Sequence, residues 1–337
     1  MRLFMSMIGM SGVRRAAAAL GAMALVCAGS ATAQEYPNRP ISLIVGFAAG
    51  GATDAVARVI GQAISTRLNV PVVIDNKPGA AGIPAIQTLR GAPLDGYTLL
   101  LGSGGMLSQG PGFRRDLPYD PLVDFVPISG VAKVSGVLVA RSELPVTNVK
   151  ELVAYAKANP GNTTYSSSGV GTANQLSIEL LAYKTGTKFL HIPYKSDTQS
   201  ASEIMAGRVD FSILTASVAI SLVQSGKLKG FAVTSPKRIA AIPNVPSLSE
   251  AGLPGLDALE PFTFYGIVGA AGLPPTVVKK LNAAVSDALA DPAVVARFAA
   301  LGFDPTAPAS ADQFGAFMRS ELMKWRDLSA NVKIEFK

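Results

Sequence analysis

Short β-branched or apolar runs alternate with longer stretches of helical periodicity along most of this 337-residue chain, and that rhythm restricts its architecture. It predicts strands over residues 41–45, 72–74, 98–101, 136–140, 164–166, 188–191, 211–214 and 231–234. Helices are predicted over residues 53–68, 82–90, 149–158, 173–185, 197–206 and 218–225. Strands separated by one helix each argue for mainly parallel sheets in an α/β fold. Beyond residue 274 the pattern is helical: Pro274-Pro275 opens one helix, Asp291-Pro292 another, and residues 311–330 form a last amphipathic segment. That segment carries the sole tryptophan, Trp325, read as a packing residue.

Two stretches break the rhythm. Residues 242–259 are rich in Pro, Gly and Ser, and residues 131–144 form a second crossover. Two crossings imply a discontinuous first domain, residues 34–137 and 260–337, with residues 138–259 inserted as the second. Residues 1–33 read as an export signal. Arg2, Arg14 and Arg15 precede an apolar run over 16–26, and Ala31-Thr32-Ala33 offers a cleavage site before Gln34. The run is shorter than the roughly 20 residues a membrane span needs. Export of the chain is therefore expected. The net charge of +7 draws three of its arginines from that signal, and the remaining basic residues are scattered. Neither nucleic acid nor a membrane surface is implied as a partner.

The exclusions narrow the chemistry further. Cys27, the only cysteine, lies inside the signal, and His191 is the only histidine. Thiolate or multi-histidine metal sites are thus ruled out, and any serine–histidine pair would have to use His191. His191 sits in an apolar strand pattern (Phe189-Leu190-His191-Ile192), which favours a structural role. No G-x-S-x-G and no Walker A sequence occurs, and Gly169-Val170-Gly171 lacks the third glycine of a dinucleotide fingerprint, Asn174 standing in its place. No cofactor is expected.

What remains is a pair of glycine-rich turns. The first strand runs through Phe47, Ala48, Ala49, Gly50, Gly51 and Ala52 into a helix at Thr53; Tyr165 to Asn174 repeats the pattern before the helix carrying Leu176, Leu180 and Leu181. Such turns leave first-turn N–H groups free to bind an anion without a basic side chain. Two of them, one per domain, fit a cleft that holds an anionic ligand from both sides. Candidate ligand-binding residues are Phe47, Ala49, Gly50, Gly51, Ala52 and Thr53 in the first turn, and Ser168, Gly169, Gly171, Thr172 and Asn174 in the second. Ser103 and Gly104 follow a strand at its carboxyl end, where α/β sheets bind ligands; Tyr194 and Thr215 complete the set. Thr53 is either a ligand donor or a helix cap, whereas Asp54 would repel an anion and is expected to brace the loop.

Read together, these segments resemble the Bug-type receptors, the periplasmic solute-binding proteins of tripartite tricarboxylate transporters. The resemblance is carried by Phe47-x-x-Gly50-Gly51-x-Thr53-Asp54, Asn76-Lys77-Pro78-Gly79-Ala80, Asp95-Gly96-Tyr97-Thr98-Leu99, Leu117-Pro118-Tyr119-Asp120-Pro121, His191-Ile192-Pro193-Tyr194-Lys195 and Val245-Pro246-Ser247-Leu248-Ser249-Glu250. It implies a monomeric two-domain clamshell of the type II-like periplasmic binding protein class. The cleft would close on a small organic carboxylate and deliver it to inner-membrane transporter subunits. A ligand sensor acting on a membrane sensor kinase is the alternative, and a periplasmic hydrolase the remote one. The chain departs from the family at Ala48 and Ala49, at Ser196, and at Leu214, where a polar or acidic residue is common. The loss at Leu214 predicts a carboxylate without an α-ammonium group.

Overall fold

The computed structural model describes residues 36–114, 116–252, 262–307 and 309–330. The expected export signal, residues 1–33, and residues 253–259 of the Pro/Gly-rich connector lie outside them. Eleven described strands form two sheets. The first, six-stranded, has the order β11-β4-β10-β3-β1-β2, built from β1 (Ile41–Val45), β2 (Val72–Asn76), β3 (Thr98–Ser103), β4 (Phe125–Val134), β10 (Thr263–Ala270) and β11 (Phe303–Pro305). The second has the order β7-β6-β8-β5-β9, from β5 (Gly136–Arg141), β6 (Thr164–Ser167), β7 (Leu190–Pro193), β8 (Phe211–Thr215) and β9 (Leu228–Val233).

The α/β class holds, but the sheets are mixed rather than mainly parallel. Pairs joined through helices are parallel: β1 with β2 and β3, and β6 with β7 and β8. The remainder are antiparallel: β10 with β3 and β4, β11 with β4, and β5 with β8 and β9. The physical reason lies in the crossings. Only Ser135 separates β4 in the first sheet from β5 in the second. A chain that changes sheets without a crossover helix slots between strands as an antiparallel neighbour. β4 and β10 escaped the sequence reading for related reasons. Every residue of β10 is buried, so it shows no alternation, and β4 carries Pro127 and Gly130.

Helices α1 (Ala52–Leu68), α2 (Ile83–Arg90), α3 (Gly110–Phe113), α8 (Pro275–Leu289) and α9 (Pro292–Ala300) accompany the first sheet in chain order. Helices α4 (Val149–Ala158), α5 (Ala173–Thr185), α6 (Asp197–Met205) and α7 (Ala216–Gln224) alternate with strands of the second. The last helix, α10 (Ala311–Ser329), opens on a capping box between Ser310 and Gln313 and serves both halves. Near its start, Phe314 and Met318 enter a core with Ile44, Leu100 and Phe264. Near its end, Trp325 enters a different core with Leu138, Tyr165, Leu176 and Phe211. The helix lies so close to β10 that a Cβ on Gly266 would stand 2.0 Å from the Phe314 ring, which accounts for glycine there.

Candidate functional site

The site begins where β1 ends. Gly51, in extended conformation, holds the N-cap position of α1 and offers no side-chain cap, so the first-turn amides have no acceptor inside the helix. Thr53 is therefore not the cap; its hydroxyl donates to Tyr265 Oη at 3.3 Å. Asp54 turns back into the loop. Its Oδ2 accepts from the Gly50 amide (3.0 Å) and Arg58 Nε (2.8 Å), and its Oδ1 accepts from Asn76 Nδ2 (3.1 Å), which also donates to Phe47 O. Burial alone would raise the Asp54 carboxyl, but the bonds from Arg58, Gly50 and Asn76 prevail and hold it below its ordinary value.

The second turn joins β6 to α5. Gly169 (φ 134°) and Gly171 (φ 82°) adopt conformations that disfavour a side chain. Thr172 occupies the N-cap position, yet its hydroxyl donates to Gly169 O at 2.7 Å and leaves the helix uncapped. Asn174 is the hub. Its Oδ1 accepts from Ser168 Oγ (2.6 Å), while Nδ2 donates to Ile213 O (2.6 Å) and to Asp197 Oδ1 (3.0 Å). Asp197 Oδ2 in turn accepts from the Thr215 amide at 3.0 Å.

Both turns reach one cavity of about 40 Å³, measured to the centres of water-sized spheres. Of the residues anticipated from sequence, Phe47, Gly51, Ala52, Thr53, Ser103, Ser168, Thr172, Asn174 and Thr215 line it. The others do not, each for a visible reason. Ala49 and Gly50 are exposed on the outer side of the first turn, where the Gly50 amide serves Asp54. The Gly169 and Gly171 amides are taken by Ser167 Oγ and Gln175 Oε1. Gly104 packs against Thr263, Gln109 and Phe264. Tyr194 lines a neighbouring hollow with Gly169, Ala81 and Lys195.

Sequence reasoning missed Ala173, Ser196, Asp197, Phe262, Thr263 and Tyr265, which complete the wall. Ser196-Asp197 reads as an ordinary helix start, and Ser196 does cap α6 by accepting from Gln199 N. The Phe262–Tyr265 stretch was lost with β10. Among the described residues, no lysine, arginine or histidine lines the cavity, and Asp197 is the one carboxylate that does. Burial raises the Tyr265 phenol, which stays neutral.

His191 stands apart from this cavity. Its Nε2 lies 2.6 Å from Ser167 Oγ, and its ring stacks on Tyr165 with centroids 4.8 Å apart. Ser167 is fully buried, so the pair faces no substrate. Burial lowers the His191 pKa to about 4, against about 6.5 when unfolded. Between those values the unfolded chain binds a proton that the native chain refuses. The stability contributed by neutral His191 is full above pH 6.5 and is lost as pH falls towards 4, by up to about 3 kcal/mol. Denaturant unfolding at pH 7 and pH 4.5 should show this loss, and His191→Gln should lessen the difference between the two.

Residues 56–334 match the sequence profile of the tripartite tricarboxylate transporter family receptor. The chain belongs to that family. Protein BugT of Bordetella pertussis is 33% identical over 307 residues, covering 90% of this chain and 93% of that one. Among solved structures, the periplasmic binding protein BugD superposes with a TM-score of 0.81 at 32% identity, over 89% of this chain and all of that one. MatC from Rhodopseudomonas palustris with bound malate gives a TM-score of 0.81 at 28% identity, over 87% of this receptor and all of MatC. The receptor therefore shares the two-sheet α/β fold of periplasmic binding proteins, and a carboxylate-bound structure stands among its neighbours. Among the described residues, no helix is long and apolar enough to cross a membrane.

Proposed function

We propose that this receptor captures a small organic carboxylate in the periplasm, without catalysis, and delivers it to the inner-membrane subunits of a tripartite tricarboxylate transporter. The observation that carries the reading is the cavity itself, reached by two uncapped helix N-termini and, among the described residues, by no basic side chain. Backbone amides at α1 and α5 supply the positive potential an anion needs, and their placement is fixed before it arrives. Bonds to a charged group are worth about 1.5–3 kcal/mol each, so three or four account for micromolar binding after ordering costs. The malate in MatC supports the ligand class.

In this reading residues 1–33 are removed after Ala33. The monomer then works as two bodies, residues 34–137 with 260–337 and residues 138–259, that close on the ligand because it touches both. One contact between the two bodies supports such closure: Thr198 Oγ1 donates to Gly50 O at 3.4 Å, joining α6 to the first turn. The test is an in-frame deletion, with uptake followed for a panel of labelled carboxylates and transporter transcripts measured alongside. Uptake of one acid should fall at least about tenfold with transcription unchanged. Unchanged uptake with lost induction would instead assign the receptor to a sensor kinase.

A further inference from the structure

The departure at Leu214 suggested a ligand without an ammonium group, because no acid ends β8. The structure restores an acid to that place from another element. Asp197, the first residue of α6, is only 6% exposed, lines the cavity, and is fastened to the end of β8 through the Thr215 amide. It also accepts from Asn174 Nδ2, so the one side-chain N–H donor of the second turn already faces a carboxylate of the protein. The two turns are consequently unlike. The α1 end presents first-turn amides, whereas the other side presents Asp197.

We infer that Asp197 sets the charge of the ligand: the cavity takes a small acid that also bears an ammonium group, its carboxylate against α1 and its ammonium against Asp197. This rests on the carboxylate-receptor reading and deepens it. The Asp197 carboxylate accepts from the Asn174 amide and the Thr215 N–H, neutral donors that bring no compensating charge. A carboxylate buried without a cation is costly, and among the described residues the cavity lining contains no cation to relieve it. Burial indeed pushes the Asp197 carboxyl up, despite the opposing bonds from Thr215, Asn174 and Ser168. An ammonium supplied by the ligand completes the pair. A second ligand carboxylate in the same place would meet like charge.

Calorimetric titration of the mature protein with matched acids tests this: L-alanine, L-lactate and propanoate, then 4-aminobutanoate, glutarate and pentanoate. In at least one series the amino member should bind at least about tenfold tighter than its partners. Asp197→Asn should weaken that member about a hundredfold while moving the unsubstituted acid less than about threefold. Preference of the native protein for glutarate or for the unsubstituted acids would overturn the inference and leave the carboxylate reading standing. A ranking unchanged in a folded Asp197→Asn would do the same, and the native ranking alone decides if that variant does not fold. Binding of none of the six would overturn both.

Discussion

Truncating Trp325 to alanine is expected to lower the unfolding free energy by about 3–5 kcal/mol, the cost of deleting a large buried aromatic ring. Trp325 is fully buried, its ring 5.7 Å from that of Phe113, within the core that also holds Tyr165, Leu176 and Phe211. The effect should reach beyond one cavity. α10 is anchored in the other core by Phe314 and Met318, so losing Trp325 frees only its far end and cuts a tie between the two halves. Trp325→Phe should cost clearly less, because the indole Nε1–H is buried without a hydrogen-bond partner and replacing it forfeits packing alone. Circular dichroism in a denaturant series is the measurement, since Trp325 is the only tryptophan and its fluorescence disappears with it. Equal stabilities for native and Trp325→Ala protein would show that α10 does not join the cores.

How far the chain could be read in advance depended on which physical signal each residue leaves. Strands flanked by helices announced themselves: β1, β6 and β8 stand within a residue of their expected limits, because turn residues and a change of period bound them. β4 and β10 left no such mark. β4 runs almost directly into β5 and carries Pro127 and Gly130, while β10 is buried along its whole length and shows no alternation. Trp325 was rightly read as packing, yet which core it fills depends on the direction α10 takes over the first sheet, a tertiary fact.

The site divides in the same way. Its amide-bearing turns were legible, since glycines and small residues before an amphipathic helix carry a local meaning. Which amides stay free was not, because that depends on Asp54, Gln175 and Ser167 reaching back to claim those of Gly50, Gly171 and Gly169. Asp197 was hidden most thoroughly. An acid in a first helical turn is what the helix dipole favours anywhere, and only the approach of α6 to the Thr215 amide and Asn174 turns it inward.

Ala52→Leu and Ala173→Leu are each expected to abolish ligand capture, by more than about a thousandfold or about 4 kcal/mol. Both alanines are the first residues of their helices, α1 and α5, and both line the cavity. A leucine adds three carbon atoms to a space of about 40 Å³, enough for about three waters. The ligand carboxylate would be displaced from the amides it must touch, and a charge-assisted bond weakens steeply with distance. Ala173 also borders the core that holds Leu176 and Trp325, so its leucine is expected to overpack that core by about 1–3 kcal/mol. Ala49→Leu supplies the contrast: Ala49 is exposed, three residues before Ala52, and outside the lining, so binding should stay within about twofold of native. Calorimetry with whichever acid the native receptor binds, together with melting of each variant, separates the possibilities. If Ala49→Leu weakened binding while Ala52→Leu and Ala173→Leu did not, the ligand would have to sit on the outer side of the first turn, and the amides at the start of α1 would have no part in holding it.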